Sequence, residues 1–305
     1  MIDQKAEKLQ FEPVSLSDSA WYPSLLWESG ARGCEYSFVN LFLWGDQRVT
    51  RMSGHAVLFS RFGERYIYPY PIGKGDKREI LESIFEDASA RDITWRLSGL
   101  LPHEKEELER LFPNRFDFVA NEGSFDYVYD INDLADLPGR RYHGKRNHCK
   151  QFETAYPRAE VVPITEKNLD AARRMSHAWY ALREDGETDF EMEKRAIARA
   201  FDHYTELGLE GLMLVSDGEV LALTMGNRMT KEVFDVNFEK AMPHATGAYA
   251  AINRAFARYI REKYPKVRFL DREEDMGLEG LRRAKMSYHP HHRVEKYRAT
   301  VKVDK

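Results

Sequence analysis

The sequence predicts an α/β protein, of the α+β kind, built from two tandem domains that each contain a mainly antiparallel mixed sheet flanked by helices. Residues 233–288 have the pattern of strand, turn, helix, strand, acidic loop and helix in unbroken succession. Residues 49–73 contain three short runs rich in β-branched and aromatic residues, with helical patterns on both sides. A chain of 305 residues is long enough for two domains of ordinary size, each with its own core.

The first half predicts one such domain over residues 1–134. Aromatic and aliphatic residues at helical spacing in residues 17–46 indicate packed helices. Ser53-Gly54 and Phe62-Gly63-Glu64 divide residues 49–73 into a three-stranded meander. Later segments predict further elements in this order: a helix over 77–90, a strand over 93–99, a helix over 102–112 and a strand pair over 116–131.

The tract 138–150 has the most unusual local composition in the chain. It contains five cations, two histidines and two glycines, and no acid occurs from Leu137 to Phe152. Two interpretations are open. The tract forms a cradle for phosphates of coenzyme A, of a lipid head group or of the acceptor end of tRNA, or it is a solvated linker that continues into a helix.

The second domain is predicted over residues 135–305. Asp217-Gly218 between two apolar runs predicts a hairpin, and residues 233–238 predict the next strand, which ends before Pro243. The following helix carries apolar residues at three- and four-residue steps. Because a helix start leaves backbone N–H groups unpaired, it predicts a site for phosphate or carboxylate, formed by Thr246, Gly247, Ala248 and Tyr249.

This order of elements resembles that of the GNAT-type N-acyltransferases, although the segment HATGAY keeps only Gly247 of the usual glycines. With Lys145-Arg146-Asn147 and the segment EEDMGLEGLRRAKMSYHP, the chain more closely resembles the bacterial family named after the C-terminal domain of phosphatidylglycerol lysyltransferase. The resemblance implies two GNAT-like halves and a relation to lipid-aminoacylating enzymes and to Fem-type aminoacyl transferases, which use aminoacyl-tRNA. It also implies that Lys145, Arg146 and Asn147 contact the donor.

The resemblance further implies transfer of an acyl or aminoacyl group from aminoacyl-tRNA or acyl-CoA to an amine or hydroxyl. The expected partners are the tRNA acceptor end or coenzyme A as donor, and a small molecule, peptide or lipid head group as acceptor. No permanently bound cofactor is expected. The alternative is a non-catalytic GNAT-like module that binds a phosphate-bearing ligand.

Several charged residues near the predicted strand ends are candidates for the chemistry. Glu239 is the first choice for a catalytic base, and a salt bridge with a neighbouring cation is the alternative. Asp275, with Glu274 beside it, is predicted to orient an amino group, or else to cap the helix that begins near Leu278. Arg282 and Lys285 lie three residues apart on that helix and are predicted to contact phosphate, although helical cations are commonly just solvated.

Composition narrows the class of protein. A net charge of −4 gives no general attraction to nucleic acid or to anionic membranes. No apolar run approaches the roughly 20 residues that cross a bilayer, and the charged N-terminal residues do not resemble a secretory signal. Cys34 and Cys149 are isolated, which fits a reducing compartment. A cytoplasmic protein is therefore expected.

A metal site is not expected. His289, His291 and His292 alternate around a proline and lack a plausible third and fourth ligand. The sequence also lacks a Walker loop, a dinucleotide fingerprint, a nucleophile elbow and an H-E-x-x-H motif.

Overall fold

The structure, a computed structural model, describes residues 8–30, 33–182 and 190–302. Within them the chain forms two compact units. One ends at Phe125 and takes up the chain again from Val294, and the other is Asp126–Arg293. Each unit is built around a seven-stranded mixed sheet with helices beside it, which confirms the predicted fold class.

The strands and helices follow in chain order. The strands are β1 (Glu12–Pro13), β2 (Asp46–Met52), β3 (His55–Phe62), β4 (Arg65–Pro69), β5 (Arg96–Leu100), β6 (Phe116–Ala120), β7 (Asp126–Asp130), β8 (Glu160–Pro163), β9 (Glu210–Ser216), β10 (Glu219–Arg228), β11 (Val233–Ala241), β12 (Phe269–Asp271), β13 (His292–Val294) and β14 (Tyr297–Val301). The α-helices are α1 (Tyr22–Ser29), α2 (Phe38–Leu43), α3 (Arg78–Ala90), α4 (Pro102–Leu111), α5 (Ile131–Asp136), α6 (His143–Ala155), α7 (Leu169–Ala181), α8 (Phe190–Asp202), α9 (Ala248–Lys263) and α10 (Glu279–Met286).

The first unit has the strand order β1-β2-β3-β4-β5-β14-β6. β2, β3 and β4 form the predicted antiparallel meander, and β4 pairs with β5 in parallel. The core packs α3 and α4 against the sheet. Its aromatic centre is Trp95, whose ring lies 4.7 Å from that of Phe116 and 5.0 Å from that of Phe85.

The strand pair predicted over 116–131 is wrong. β6 pairs with β14 in the first sheet, whereas β7 pairs with β12 in the second. The intervening turn separates them, because Asn121 accepts a hydrogen bond from the Gly123 N–H and closes a short 3-10 helix. The compact units therefore differ from the predicted domains 1–134 and 135–305: the change falls at Asp126, and β14 belongs to the first sheet.

The second unit has the strand order β13-β7-β12-β11-β10-β9-β8. The predicted hairpin is confirmed as β9 and β10, and its turn residues Asp217 and Gly218 both have positive φ, which matches the twist of paired strands. Gly226 is required because a Cβ atom there would lie 2.0 Å from the Asp235 carbonyl oxygen of β11. α9 buries Ile252, Phe256 and Ile260 against this sheet.

β11 and β12 are parallel neighbours over only three residue pairs. Their pairing ends at Asp235 and Asp271, and β11 continues to Ala241 without β12. We call the region beyond these two aspartates, between the later part of β11 and the chain that leaves β12, the strand gap. Since the ladder stops there, side chains occupy the region between the two segments.

Glu104 is a buried carboxyl group in the first unit. Its side chain accepts a hydrogen bond from the Leu101 N–H at the start of α4. Burial raises the pKa of Glu104 to about 7, against the opposing effects of that N–H and of Lys77, and the nearby Glu107 and Glu35 add to the increase. The folded state therefore holds a proton here that the unfolded state releases near pH 4.5.

Stability should consequently fall as pH rises from about 4.5 to 7, because the native state binds more protons in that window. Glu104→Gln keeps the acceptor for Leu101 and removes the titration. We expect the melting temperature of Glu104→Gln relative to wild type to increase between pH 5 and pH 7.5, with a free-energy change of up to about 3 kcal/mol. Glu106→Gln, at an exposed position of the same helix, is the control and should show no such trend. A constant difference between Glu104→Gln and wild type across this range would contradict the assignment.

Candidate functional site

The strand gap contains a buried ion pair. Glu239 lies on β11 beyond its pairing with β12, and Arg272 is the first residue after β12. The Arg272 Nη2 atom lies 2.8 Å from Glu239 Oε1, and Asn253 Nδ2 of α9 donates to Oε2 at 3.2 Å. The side chains of Glu239 and Arg272 are only 9% and 14% exposed. The ion pair therefore bridges the strand gap, and both carboxylate oxygens of Glu239 have partners.

Two tyrosine rings flank the guanidinium group of Arg272. Its Cζ atom lies 4.9 Å from the ring centre of Tyr288 and 5.7 Å from that of Tyr129. Burial disfavours the charge, but the Glu239 carboxylate and the tyrosines outweigh it and raise the pKa of Arg272. Arg272 is therefore a fixed cation held in an aromatic setting.

Lys145 of α6 adds a second cation. Its Nζ atom lies 3.8 Å from the ring centre of Tyr288 and donates to Ser287 Oγ at 2.6 Å. Partial burial and the charge of Arg272 lower the pKa of Lys145 to about 8, although Glu239 opposes this change. Lys145 thus carries charge at neutral pH and can release its proton in mildly alkaline solution.

These groups together form an electrostatically biased site. At the Tyr288 ring two cations meet one carboxylate, so positive charge is in excess at that point, while the buried Asp235 and Asp271 lie at the edge of the strand gap. Such an excess in a partly buried place favours a bound anion or a developing oxyanion. Lys145 and Glu239, two of the predicted residues, are brought together here.

Asp275 lies in a different arrangement, the loop clamp, formed by Tyr127, Asp275, Gly277, Arg282 and Lys285. Asp275 is fully buried and accepts hydrogen bonds from Tyr127 Oη, Arg282 Nε and the Gly277 N–H at 2.7, 2.7 and 2.8 Å. Burial acts to raise the pKa of Asp275, but Arg282, Tyr127 and Gly277 lower it to about 2. The prediction that Asp275 orients an acceptor is therefore not supported by its geometry, because its oxygens are already occupied.

Lys285 closes the same clamp. Its Nζ atom donates to the carbonyl oxygens of Arg272, Glu273 and Glu274 at 2.5, 3.0 and 2.5 Å. The three N–H donors of Lys285 thus hold the loop after β12, and Arg282 donates from Nε and Nη2 to Asp275. The predicted phosphate contacts of Lys285 and Arg282 stay predictions. The Glu274 backbone takes part in the clamp, and its predicted role toward an acceptor stays a prediction.

The predicted phosphate position at the start of α9 is closed at its glycine. Gly247 has φ +81°, and a Cβ atom there would lie 2.1 Å from the His148 carbonyl oxygen of α6. The glycine therefore lets α6 approach α9, and not a ligand. Ala248 is fully buried and its N–H donates to the Ala245 carbonyl, whereas Thr246 and Tyr249 are exposed.

The other two residues of the predicted Lys-Arg-Asn motif, Arg146 and Asn147, lie on α6 and make local contacts. Arg146 Nη1 donates to the carbonyl oxygens of Leu137 and Gly139, which tie the preceding turn to the helix. Asn147 is exposed and lies 3.4 Å from the ring of His143. Lys145 is thus the member of the predicted Lys-Arg-Asn motif that reaches the strand gap.

Sequence patterns missed Asn253 and Tyr288 as parts of this site. Asn253 is 3% exposed on the otherwise apolar face of α9, and a polar residue on such a face is a usable signal. Tyr288 stood at the end of the last predicted helix, where nothing in the sequence distinguished it from a packing residue. Arg272 was visible as the cation within the acidic segment DREED.

Comparison with solved structures supports the architecture. A conserved protein of unknown function from Bacteroides thetaiotaomicron VPI-5482 is 34% identical, with 96% of this chain and 100% of that chain covered and a TM-score of 0.90. L-PGS from Bacillus licheniformis is 18% identical, with 98% and 95% covered and a TM-score of 0.69. FemX is 9% identical, with 96% and 98% covered and a TM-score of 0.61. Comparison with curated proteins gives no match.

The chain has a tandem GNAT-like fold, which is also that of a tandem GNAT protein from the clavulanic acid biosynthesis pathway (12% identical, 97% of this chain and 99% of that chain covered, TM-score 0.51). The family model described as "Phosphatidylglycerol lysyltransferase, C-terminal" matches residues 28–300. The chain belongs to this family. In residues 8–30, 33–182 and 190–302, no helix has the length and apolar character needed to cross a bilayer.

Substitution of Gly247 distinguishes helix packing from ligand approach. Gly247→Ala should destabilise the protein by about 2–5 kcal/mol, because it adds left-handed backbone strain to a collision with α6. Gly277→Ala is the matched control: Gly277 has φ +78°, and no described atom lies within 4 Å of an added Cβ. The control should lose only about 1 kcal/mol. Chemical denaturation measures both. Equal stability losses in the two variants would refute the packing role, and normal folding of Gly247→Ala with loss of donor binding would restore the phosphate prediction.

Proposed function

We propose that this protein transfers an activated acyl or aminoacyl group from a phosphate-bearing donor, aminoacyl-tRNA or acyl-CoA, to an amine or hydroxyl acceptor. The reaction takes place beside the strand gap. The observation that carries the proposal is the meeting of Lys145, Arg272 and Glu239 at Tyr288. Family membership and the GNAT-like fold support the reaction class.

The donor ester or thioester is already activated, so the main tasks of the protein are positioning and charge stabilisation. The acceptor nitrogen or oxygen forms a bond to the acyl carbon, and the bond from that carbon to the donor oxygen or sulfur breaks. Negative charge develops on the carbonyl oxygen and then on the leaving atom. The Lys145 ammonium group stabilises this charge and delivers a proton to the leaving atom, and the proton lost by the acceptor restores Lys145.

Glu239 has a positioning role in this scheme. Its carboxylate is held by Arg272 and Asn253, so it is not free to act as the base that the sequence suggested. It fixes the guanidinium group, and its negative charge raises the pKa of Lys145 from the lower value that Arg272 alone would impose. Glu239 therefore keeps Lys145 protonated at neutral pH.

The direct test is an assay of acyl transfer with acyl-CoA and with aminoacyl-tRNA as donors, over a panel of amine, hydroxyl and lipid head-group acceptors. Formation of an acylated acceptor supports the proposal. A donor that binds tightly but is never consumed with any acceptor would favour the alternative, a GNAT-like module that binds a phosphate-bearing ligand without catalysis.

Lys145 makes donor binding dependent on pH. Wild-type affinity for acetyl-CoA or another competent donor should fall as pH rises through about 8, because the ammonium form is lost. Lys145→Arg should keep its affinity to higher pH, since arginine stays protonated. Lys145→Met should weaken binding about tenfold and lower turnover by about 10²–10³-fold. Calorimetry and initial rates measure these effects, with Lys150→Met, an exposed position of α6, as control. Constant wild-type affinity from pH 7 to 9 would argue against this role.

Glu239→Gln separates a positioning role from a base. Glutamine keeps one oxygen that accepts from Arg272, and its NH2 group can donate to the Asn253 side-chain oxygen once that amide turns over. The change removes the negative charge that raises the pKa of Lys145. We expect the pH midpoint of donor binding to move below 8 while the protein stays folded. If Glu239 is instead a general base, turnover should fall by about 10²–10⁴-fold with an unchanged binding midpoint. Titration of donor affinity beside kcat decides between the two.

A further inference from the structure

The first unit contains a cavity that the transfer proposal does not use. Its volume is about 380 Å³, within the range of small-ligand sites. Its walls are formed by residues 8–11 just before β1, by the strands β2, β3 and β4, and by Arg91 just after α3. Its lining combines three aromatic rings with four cations and one carboxylate: Phe11, Phe59 and Tyr66, Lys8, Arg48, Arg61 and Arg91, and Asp46.

The aromatic rings form a continuous stack. The ring centres of Phe11 and Phe59 lie 5.3 Å apart, and those of Phe59 and Tyr66 lie 5.6 Å apart with an interplanar angle of 13°. Phe59 is buried, whereas Phe11 and Tyr66 are partly exposed. The two outer rings therefore offer planar apolar surface to a ligand, and every nucleobase has a face that can stack on such a ring.

Cations lie beside this stack, Arg61 next to the outer ring of Tyr66 and Arg91 next to both Phe11 and the central Phe59, whose ring centre is 5.0 Å from the Arg91 Cζ atom. The Arg61 Cζ atom lies 5.6 Å from the ring centre of Tyr66, and the Arg91 Cζ atom lies 5.6 Å from that of Phe11. Among the described residues, the hydrogen bond that the Arg61 side chain makes is from Nε to the Gly63 carbonyl, so its two terminal nitrogens can still bind a phosphate. Arg48 is paired at 3.3 Å with Asp46, and their side chains are 41% and 44% exposed, so water competes with the pair and a ligand can replace it.

The wall that carries Phe11 is held firmly. Asp87 of α3 accepts hydrogen bonds from the Leu9 N–H, from Tyr68 Oη and from Arg91 Nε at 2.7, 2.7 and 2.8 Å. Arg91 also donates to the Leu9 carbonyl at 2.9 Å. This network fixes the segment before β1 against α3, so the cavity is formed before any ligand arrives and binding requires little ordering.

We propose that this cavity binds a nucleotide unit, meaning an aromatic base joined to a phosphate. The base stacks on Tyr66 or Phe11, and the phosphate is bound by Arg61 with Arg48 and Lys8. A plain phosphate would use the cations but not the rings, and an apolar ligand would use the rings but leave the terminal nitrogens of Arg61 without a partner among the described residues. The nucleotide has two sources, a free mononucleotide or the exposed end of a single-stranded RNA. The inference is independent of the transfer proposal, because every lining residue belongs to the first unit.

Calorimetric titration of the full chain tests this inference with four probes: adenosine 5′-monophosphate, adenosine, inorganic phosphate and a short single-stranded oligoribonucleotide. The nucleotide should bind more tightly than adenosine or phosphate alone. Arg61→Gln should weaken the nucleotide about tenfold and leave adenosine unchanged. Tyr66→Leu should weaken both by a similar factor. Arg65→Gln is the control, because it removes the same charge from the position next to Tyr66 on β4. The Arg65 side chain points to the opposite face of the sheet, so the affinity for the nucleotide should not change.

Comparison of the four probes identifies the source of the nucleotide. Equal binding of the mononucleotide and the oligoribonucleotide supports the site with a free nucleotide as ligand, and clearly tighter binding of the oligoribonucleotide supports it with RNA as the source. Three results would overturn the inference: no nucleotide binding up to millimolar concentration, equal weakening by Arg61→Gln and Arg65→Gln, or phosphate affinity as high as nucleotide affinity. Far-ultraviolet circular dichroism of each variant establishes that it is folded, and Arg61 and Tyr66 are exposed enough that both variants should pass.

Discussion

The candidate site depends on the need to neutralise a carboxylate that the fold buries where two parallel strands stop pairing. Glu239 is 9% exposed and would be very costly to leave ionised without a partner. Arg272 supplies the partner, but it stands at the start of an irregular segment that could turn its side chain elsewhere. Lys285 and Asp275 prevent this, because together they fix the carbonyls and side chains of that segment. The ion pair and the loop clamp therefore act together. Because the clamp holds the backbone after β12, the Arg272 side chain stays directed at Glu239.

The cations of the unit Asp126–Arg293 fall into two functional groups. Position in the sequence does not tell the groups apart, since Lys145 and Arg146 are neighbours. Lys285 gives its three N–H donors to carbonyl oxygens, whereas Arg146 bonds two carbonyls through Nη1 and Arg282 bonds the buried Asp275 carboxylate, so all three hold local structure. Lys145 rests on a tyrosine ring and has only a serine hydroxyl as its hydrogen-bond partner in the described part of the chain. An interaction with a ring face leaves an ammonium group able to exchange partners and protons, which a carboxylate contact would restrict. This difference is the reason for assigning the proposed chemical role to Lys145 rather than to another cation of this unit.

The sequence predicted the fold well wherever local patterns decide the structure. The hairpin at Asp217-Gly218, the meander of β2 to β4 and the apolar face of α9 all follow from turn chemistry or periodicity. It failed where distant segments compete for the same strand: β6 and β7 look like a hairpin, but β14 pairs with β6 and β12 pairs with β7. Gly247 was recognised as necessary for a close approach, and in the structure α6 makes such an approach through the His148 carbonyl. Local sequence shows that space is needed but not what fills it.

The position of β14 also determines the order in which the protein can be built. This strand lies between β5 and β6 in the interior of the first sheet, although nearly two hundred residues separate it from β5. During synthesis, the first unit therefore lacks the strand between β5 and β6 until β14 has left the ribosome. The unit Asp126–Arg293 can form almost all of its own sheet before that point. The half of the chain made first is thus finished last. A nascent chain stalled near its end would expose two strand edges that the mature protein never shows.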